Sequence, residues 1–268
     1  MALYYISLLA IIQGFTEFLP VSSSAHLVLL SKISSAEGHS LELDISVHFG
    51  TLLALLIFFY KDVFKLLLGL KENISGNFNT LEAKTFRLLI VATVPVFLVG
   101  IILIFTGLVG FIRSIRIIGW SMIVFAILLY IADRYGKTNR KKKEWTLRDA
   151  IFIGLWQSIA LIPGASRSGT TITGARILGF SRLDSTQLSM ILAIPTILGS
   201  TSILVPDLIT NSYPIAEIRD IVLSTFFSFL AALISLFLLI RYVKKLNFTP
   251  FVLYRLLLGL FLLYISSS

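Results

Sequence analysis

Eight apolar stretches follow one another along this chain, and each can cross or enter the hydrocarbon of a bilayer. Six read as full helical spans, at residues 44–60, 86–106, 114–132, 186–205, 218–241 and 250–265. Two others, 1–31 and 151–180, are broken near the middle by proline and serines. Lipid offers no hydrogen-bond partner to a bare peptide group, so such stretches must be helical, and the sequence predicts an all-α integral membrane protein. Composition agrees, with 56% apolar and 14% charged residues in 268. The mean hydropathy is +0.91, and a soluble domain of this size needs far more charged surface. The chain has no cysteine, which removes disulfides, thiolate metal sites and cysteine nucleophiles.

The net charge of +9 is distributed as a topology signal rather than as a nucleic-acid face. Seven basic residues (Arg134, Lys137, Arg140, Lys141, Lys142, Lys143 and Arg148) mark the loop 134–148 as cytoplasmic. Lys61, Lys65, Lys71 and Lys84 put the loop two spans earlier on the same side, and Gly107–Gly110 then faces outside. Arg241, Lys244 and Lys245 mark a further cytoplasmic loop, while Pro206 to Glu217 carries acids and no Lys or Arg, as an outer loop does. Segment 151–180 therefore starts and ends inside, while segment 1–31 either spans once or dips in from outside and returns, its break at Pro20 and Ser22–Ser24 favouring the dip. Each is too short for two crossings, so both are expected to be re-entrant hairpins. The N-terminal segment lacks a basic start and a small-residue cleavage site, so it is expected to belong to the fold.

One polytopic domain over 1–268 follows, its halves at about 1–135 and 150–268 forming an inverted-topology repeat. Gln13 before Pro20-Val21-Ser22-Ser23-Ser24 is answered by Gln157 before Pro163-Gly164-Ala165-Ser166-Arg167-Ser168.

Irregular backbone at membrane depth is tolerated only in protein or beside a wet cavity, so the two breaks imply a polar cavity. Glu17 lies in an apolar run and is a site candidate, unless it sits at the interface or bonds backbone. Ser23 and His26 share a helix face and offer a nucleophile with its base; Ser22 or Ser23 as a cap, with His26 packed, is the alternative. Arg167 between Ser166 and Ser168, with Gly164 and Gly169 nearby, reads as a phosphate clamp or as the ion-pair partner of Glu17. Ser168, Thr170 and Thr171 add hydroxyls. This inventory suits hydrolysis of a phosphate ester or anhydride on a lipid. A diphosphate usually brings a divalent cation, yet Glu17 is the one clear carboxylate here.

The run Gln13-Gly14-Phe15-Thr16-Glu17-Phe18-Leu19-Pro20-Val21-Ser22-Ser23-Ser24-Ala25-His26 resembles the (Glu/Gln)-x-x-x-Glu and P-V-S-S-x-x-H signature of bacterial undecaprenyl-diphosphate phosphatases, the bacitracin-resistance family. Pro163-Gly164-Ala165-Ser166-Arg167-Ser168-Gly169-Thr170-Thr171 resembles the family's second signature, P-G-x-S-R-S-x-x-T. The likeness extends over the whole chain. It implies a multi-pass protein of the bacterial plasma membrane that converts undecaprenyl diphosphate to the monophosphate, recycling the carrier lipid of peptidoglycan synthesis. It further implies Glu17 as catalytic carboxylate and metal ligand, Ser23 as nucleophile, His26 in proton transfer and Arg167 on the diphosphate. Gln13, Ser22, Ser166, Ser168 and Thr171 would bind substrate, with magnesium or calcium as cofactor. Gln13 stands where some members have Glu, which weakens a carboxylate chelate. The roles of His48 and Arg255 stay open, as does a homodimer. The topology predicts a site opening to the outer face.

Two rivals come from other classes. Acid-phosphatase-like lipid phosphatases need a histidine downstream of the Ser-Arg pair, and none follows His48. A carrier or flippase of a polyprenyl phosphate would share the inverted repeat and the anion clamp, without needing Glu17, Ser23 and His26 together.

Overall fold

A computed structural model describes residues 3–33, 41–202 and 214–267, which are almost wholly helical and include no strand. The helices are α1 (Leu3–Thr16), α2 (Ser23–Ile33), α3 (Leu41–Phe58), α4 (Tyr60–Ile74), α5 (Leu81–Thr106), α6 (Val109–Ile112) and α7 (Ile115–Tyr135). After a short 3-10 turn at Lys142–Glu144 come α8 (Leu147–Ile159), α9 (Arg167–Ile177), α10 (Arg182–Ser202), α11 (Ile215–Val243) and α12 (Thr249–Ser267). Expectations about the outer loops at Glu37 and 206–213 lie outside the described residues.

Local chemistry sets the helix ends. Thr80 caps α5 by accepting from Ala83 N at 3.1 Å, and Gly107 ends it in the left-handed region at φ 69°. Ser114 caps α7, and Thr146 with Asp149 forms a reciprocal capping box at α8.

Four helices (α5, α7, α11 and α12) are long and apolar enough to cross a membrane. The pair α3 and α4 is apolar enough to count with them only when taken together, and it bends by 89° at its junction. The expected span 44–60 thus stops at Phe58, and α4 leaves at a right angle with Tyr60, Phe64, Leu67 and Ile74 exposed along one stripe. The expected span 186–205 corresponds to α10, which is less apolar than a lipid-facing helix. The reason is its position: Ser185, Thr186, Ser189 and Thr201 are buried by neighbouring helices rather than turned to lipid. The architecture is an all-α multi-pass membrane protein.

Two helix pairs break in irregular tips, α1–α2 at Glu17–Ser22 and α8–α9 at Ala160–Ser166. Their first helices are clamped by close backbone approach. A Cβ on Gly14 of α1 would lie 2.5 Å from Ser228 O of α11, and one on Gly154 of α8 would lie 2.6 Å from Ala92 O of α5. Ser235 Oγ donates to Phe15 O at 2.8 Å and Ser228 Oγ to Val47 O at 2.7 Å, tying α11 to α1 and α3. An apolar core that includes Phe18, Leu52, Leu55, Leu129, Ile172, Met190, Leu236 and Phe248 lies behind the tips.

At the end bearing the basic loop, Arg176 is fully buried and donates Nε to Asp133 Oδ1 at 3.2 Å and Nη1 to Lys137 O at 2.9 Å. Arg182 Nε and Phe248 N also donate to the Asp133 carboxylate, at 2.8 and 3.2 Å. This hub joins α7, α9, α10 and the start of α12. Arg140 pairs with Asp149, and Lys142 with Asp62 at 2.8 Å, so the basic loop is docked on the bundle.

Candidate active site

The tips meet because their own polar groups bond each other. Ser168 Oγ donates to Leu19 O at 2.9 Å, and Gly164 N donates to Ser24 Oγ at 3.2 Å. Each tip ends on a serine in the left-handed region, Ser22 at φ 71° before α2 and Ser166 at φ 70° before α9. A side-chain-bearing residue there costs roughly 1–2 kcal/mol, strain that the surroundings must hold and that concentrates at functional sites. Ser166 Oγ accepts from Gly169 N at 3.2 Å and so caps α9. Gly164, at φ 90°, lies under Ser121 and Ile118, whose atoms would be 2.3 and 2.5 Å from a Cβ. Only glycine fits this turn.

Glu17 and Arg167 face each other across the two tips. Arg167 Nη2 donates to Glu17 Oε1 at 3.0 Å. Ser23 Oγ donates to Glu17 Oε2 at 3.1 Å, and Gln13 Nε2 donates to the same oxygen at 2.8 Å. Arg167 therefore pairs with Glu17 and also lines the cavity.

That cavity has a volume of about 640 Å³. Glu17, Ser22, Ser23, Ser24, Ser166 and Arg167 form its polar floor, while Leu27, Val28, Leu103, Ile104 and Leu161 form apolar walls. Ile112 and Arg113, just before α7, also line it. The basic loop follows the other end of α7, whose 21 residues separate the two ends by about 30 Å. A small diphosphate on a long apolar tail matches such a chamber.

Other expected site residues lie beside the cavity rather than in it. Thr171 is fully buried, with Oγ1 donating to Arg167 O at 2.8 Å and meeting Ser189 Oγ at 2.6 Å. Ser168 is spent on Leu19, and Gln13 is fully buried behind Glu17. His26 is not joined to Ser23: its Nδ1 contacts Ser22 O at 2.7 Å and its Nε2 the hydroxyl of Tyr254 at 2.5 Å.

The residues that sequence reasoning left open or passed over come from α3 and α12. His48 lines the cavity, with Nδ1 3.0 Å from Gln13 Nε2 and 3.8 Å from Glu17 Oε2. Arg255 is fully buried and clasps the second tip through Nη2, 3.0 Å from Gly164 O and 2.9 Å from Ala165 O. Its Nη1 lies 3.5 Å from Pro20 O of the first tip. The available signal was an arginine inside an apolar span, which seldom lacks a role. Nothing in the sequence pointed to Tyr254.

The model of one protein family, bacitracin resistance protein BacA, matches residues 6–261. The chain belongs to this family. Among BacA-type relatives, an undecaprenyl-diphosphatase of Ruegeria pomeroyi is 47% identical over 268 residues, covering all of both chains. One of Dinoroseobacter shibae is 46% identical over the same full length. A more distant one, of Nitrosococcus oceani, is 38% identical over 263 residues, 98% of each chain. BacA proteins are bacterial, and the long apolar helices make this one a multi-pass membrane protein.

A phosphatase family makes a divalent cation plausible. The donors on the cavity floor do not form a cage for one. Both Glu17 oxygens are engaged by Gln13, Ser23 and Arg167, and no group of three or more His, Asp or Glu is placed for a metal among the described residues.

Proposed function

We propose that this chain hydrolyses undecaprenyl diphosphate to undecaprenyl phosphate and inorganic phosphate, recycling the lipid carrier for peptidoglycan synthesis and so conferring resistance to bacitracin. The observation that carries this reading is the Glu17–Arg167 pair, which joins the two tips on the floor of a chamber with apolar walls. The full-length relatives named undecaprenyl-diphosphatase support the same substrate. No observation favours the carrier alternative.

In the proposed reaction Arg167 turns from Glu17 to the terminal phosphate, and its fork holds two oxygens. Glu17, released from the ion pair, accepts the proton of Ser23, whose hydroxyl already points at it. Ser23 Oγ bonds to the terminal phosphorus as the bond to the bridging oxygen breaks, and the electron pair departs with undecaprenyl phosphate. Water then attacks the phosphoserine; as the Ser23 oxygen leaves phosphorus it takes the proton back from Glu17, and both protons of the water depart with inorganic phosphate as dihydrogen phosphate. With both ring nitrogens engaged, His26 holds the Ser22 turn in this scheme rather than taking the proton.

The helix pairs α1–α2 and α8–α9 are read as oppositely inserted re-entrant hairpins of an inverted repeat. The matching strained serines, and the matching seats of α1 on α11 and α8 on α5, support that reading. Arg113, which lines the chamber at one end of α7, and the basic loop at the opposite end of α7 support an opening to the outer face. The chain has no cysteine, so Arg113→Cys gives a single label site. An impermeant maleimide should modify it from outside intact cells; labelling only from the cytoplasm would overturn the orientation. For the reaction, the purified protein should release phosphate and the monophosphate lipid in equal amounts. A lipid moved but never cleaved would favour the carrier.

A further inference from the structure

We infer that His48 is a catalytic residue, a neutral imidazole that donates a hydrogen bond from Nε2 to a phosphate oxygen of the substrate, with Gln13 as the positioning residue that fixes its tautomer. The inference deepens the proposed function and rests on it for the identity of the substrate.

The argument starts from the Gln13 amide. Its Nε2 lies 2.8 Å from Glu17 Oε2 and 3.0 Å from His48 Nδ1. Reversing the amide would set its oxygen against the carboxylate, so Glu17 fixes which atom is nitrogen. One N–H then serves Glu17 and the other serves His48. Nδ1 must be the acceptor, and in a neutral ring the proton is left on Nε2.

Position gives that proton a use. The His48 side chain is 33% exposed, and it lines the chamber beside Glu17. Its Nε2 has no hydrogen-bond partner among the described residues. The helix that carries it is firmly seated: two residues on, a Cβ at Gly50 would be 2.3 Å from Thr225 O, so α3 presses against the backbone of α11. His26, by contrast, has both nitrogens occupied. A preorganised donor aimed at oxygens that gain charge in the transition state raises kcat more than it tightens binding. Arg167 supplies charge from one side, and His48 supplies a directional neutral donor from the other.

The test has two arms on the full-length protein. In nitrogen-15 NMR of histidine-labelled protein in micelles, His48 is one of three histidines and is assigned by the spectrum of His48→Gln. It should show a bare Nδ1 and a protonated Nε2, and methylene diphosphonate should shift the Nε2 signal. A bare Nε2, or no response to the diphosphonate, overturns the inference. In the kinetic arm, His48→Phe should lose about 100-fold in kcat with a small change in KM, and His48→Gln should recover part through its amide N–H. An unchanged kcat in His48→Phe also overturns it. If wild-type protein fails to hydrolyse undecaprenyl diphosphate, the proposed function falls, while the tautomer and its response to diphosphonate still report on His48.

Discussion

Replacing Arg255 with methionine should uncouple the two tips while leaving the bundle folded. Arg255 Nη2 donates to Gly164 O and Ala165 O at 3.0 and 2.9 Å, and no carboxylate pairs with it among the described residues. Each orphaned buried carbonyl costs about 1–3 kcal/mol. Removing a buried cation that lacks a counter-ion returns part of that, so the net destabilisation should be about 2 kcal/mol. The kinetic effect should be larger. Gly164 and Ala165 lead directly into Ser166 and Arg167, and a shift of about 1 Å in a catalytic group can cost about 100-fold. Phosphate release and the thermal midpoint, measured in the same detergent, give both numbers. Arg255→Lys keeps the charge but cannot fork across two carbonyls, so it should fall between wild type and Arg255→Met. Full turnover by Arg255→Met would refute the clasp.

Gly164→Ala should destabilise by roughly 3 kcal/mol or more, because its Cβ meets Ser121 Oγ at 2.3 Å in a left-handed turn; a wild-type thermal midpoint would contradict this. Asp133→Asn leaves Arg176 and Arg182 without their shared carboxylate and should cost about 3–5 kcal/mol, with turnover per folded molecule unchanged. Loss of turnover without loss of stability would show that this hub does more than brace the bundle. Substrate-free protein titrated calorimetrically with magnesium or calcium should give no saturable heat, since Glu17 is already engaged by its neighbours; a saturable one-site isotherm would show a protein-held cation.

Legibility in the sequence followed physical range. The long spans were readable because lipid exposure demands an unbroken apolar run, as in α5 and α11. The right-angle break after Phe58 was not, since α4 continues the apolar count while changing direction. The hydroxyl-rich α10 read as a span, although its polarity reflects burial among helices. In the site, Glu17, Ser23 and Arg167 stood out because charge and hydroxyls at membrane depth are costly. Where Ser168 and Thr171 turn their hydroxyls depends on contacts with Leu19 and Ser189, which spacing cannot encode. The pairing of His26 with Tyr254 spans 228 residues and left no local trace.

The central claim is that Glu17 and Ser23 from one tip act with Arg167 from the other on a lipid diphosphate. Its most direct test is phosphate release from undecaprenyl diphosphate by the purified protein, with wild type beside Glu17→Ala, Ser23→Ala and Arg167→Ala. The account expects wild-type release and a fall of at least about 100-fold in Arg167→Ala, the loss typical of one transition-state donor. Unchanged release in all three variants would contradict it.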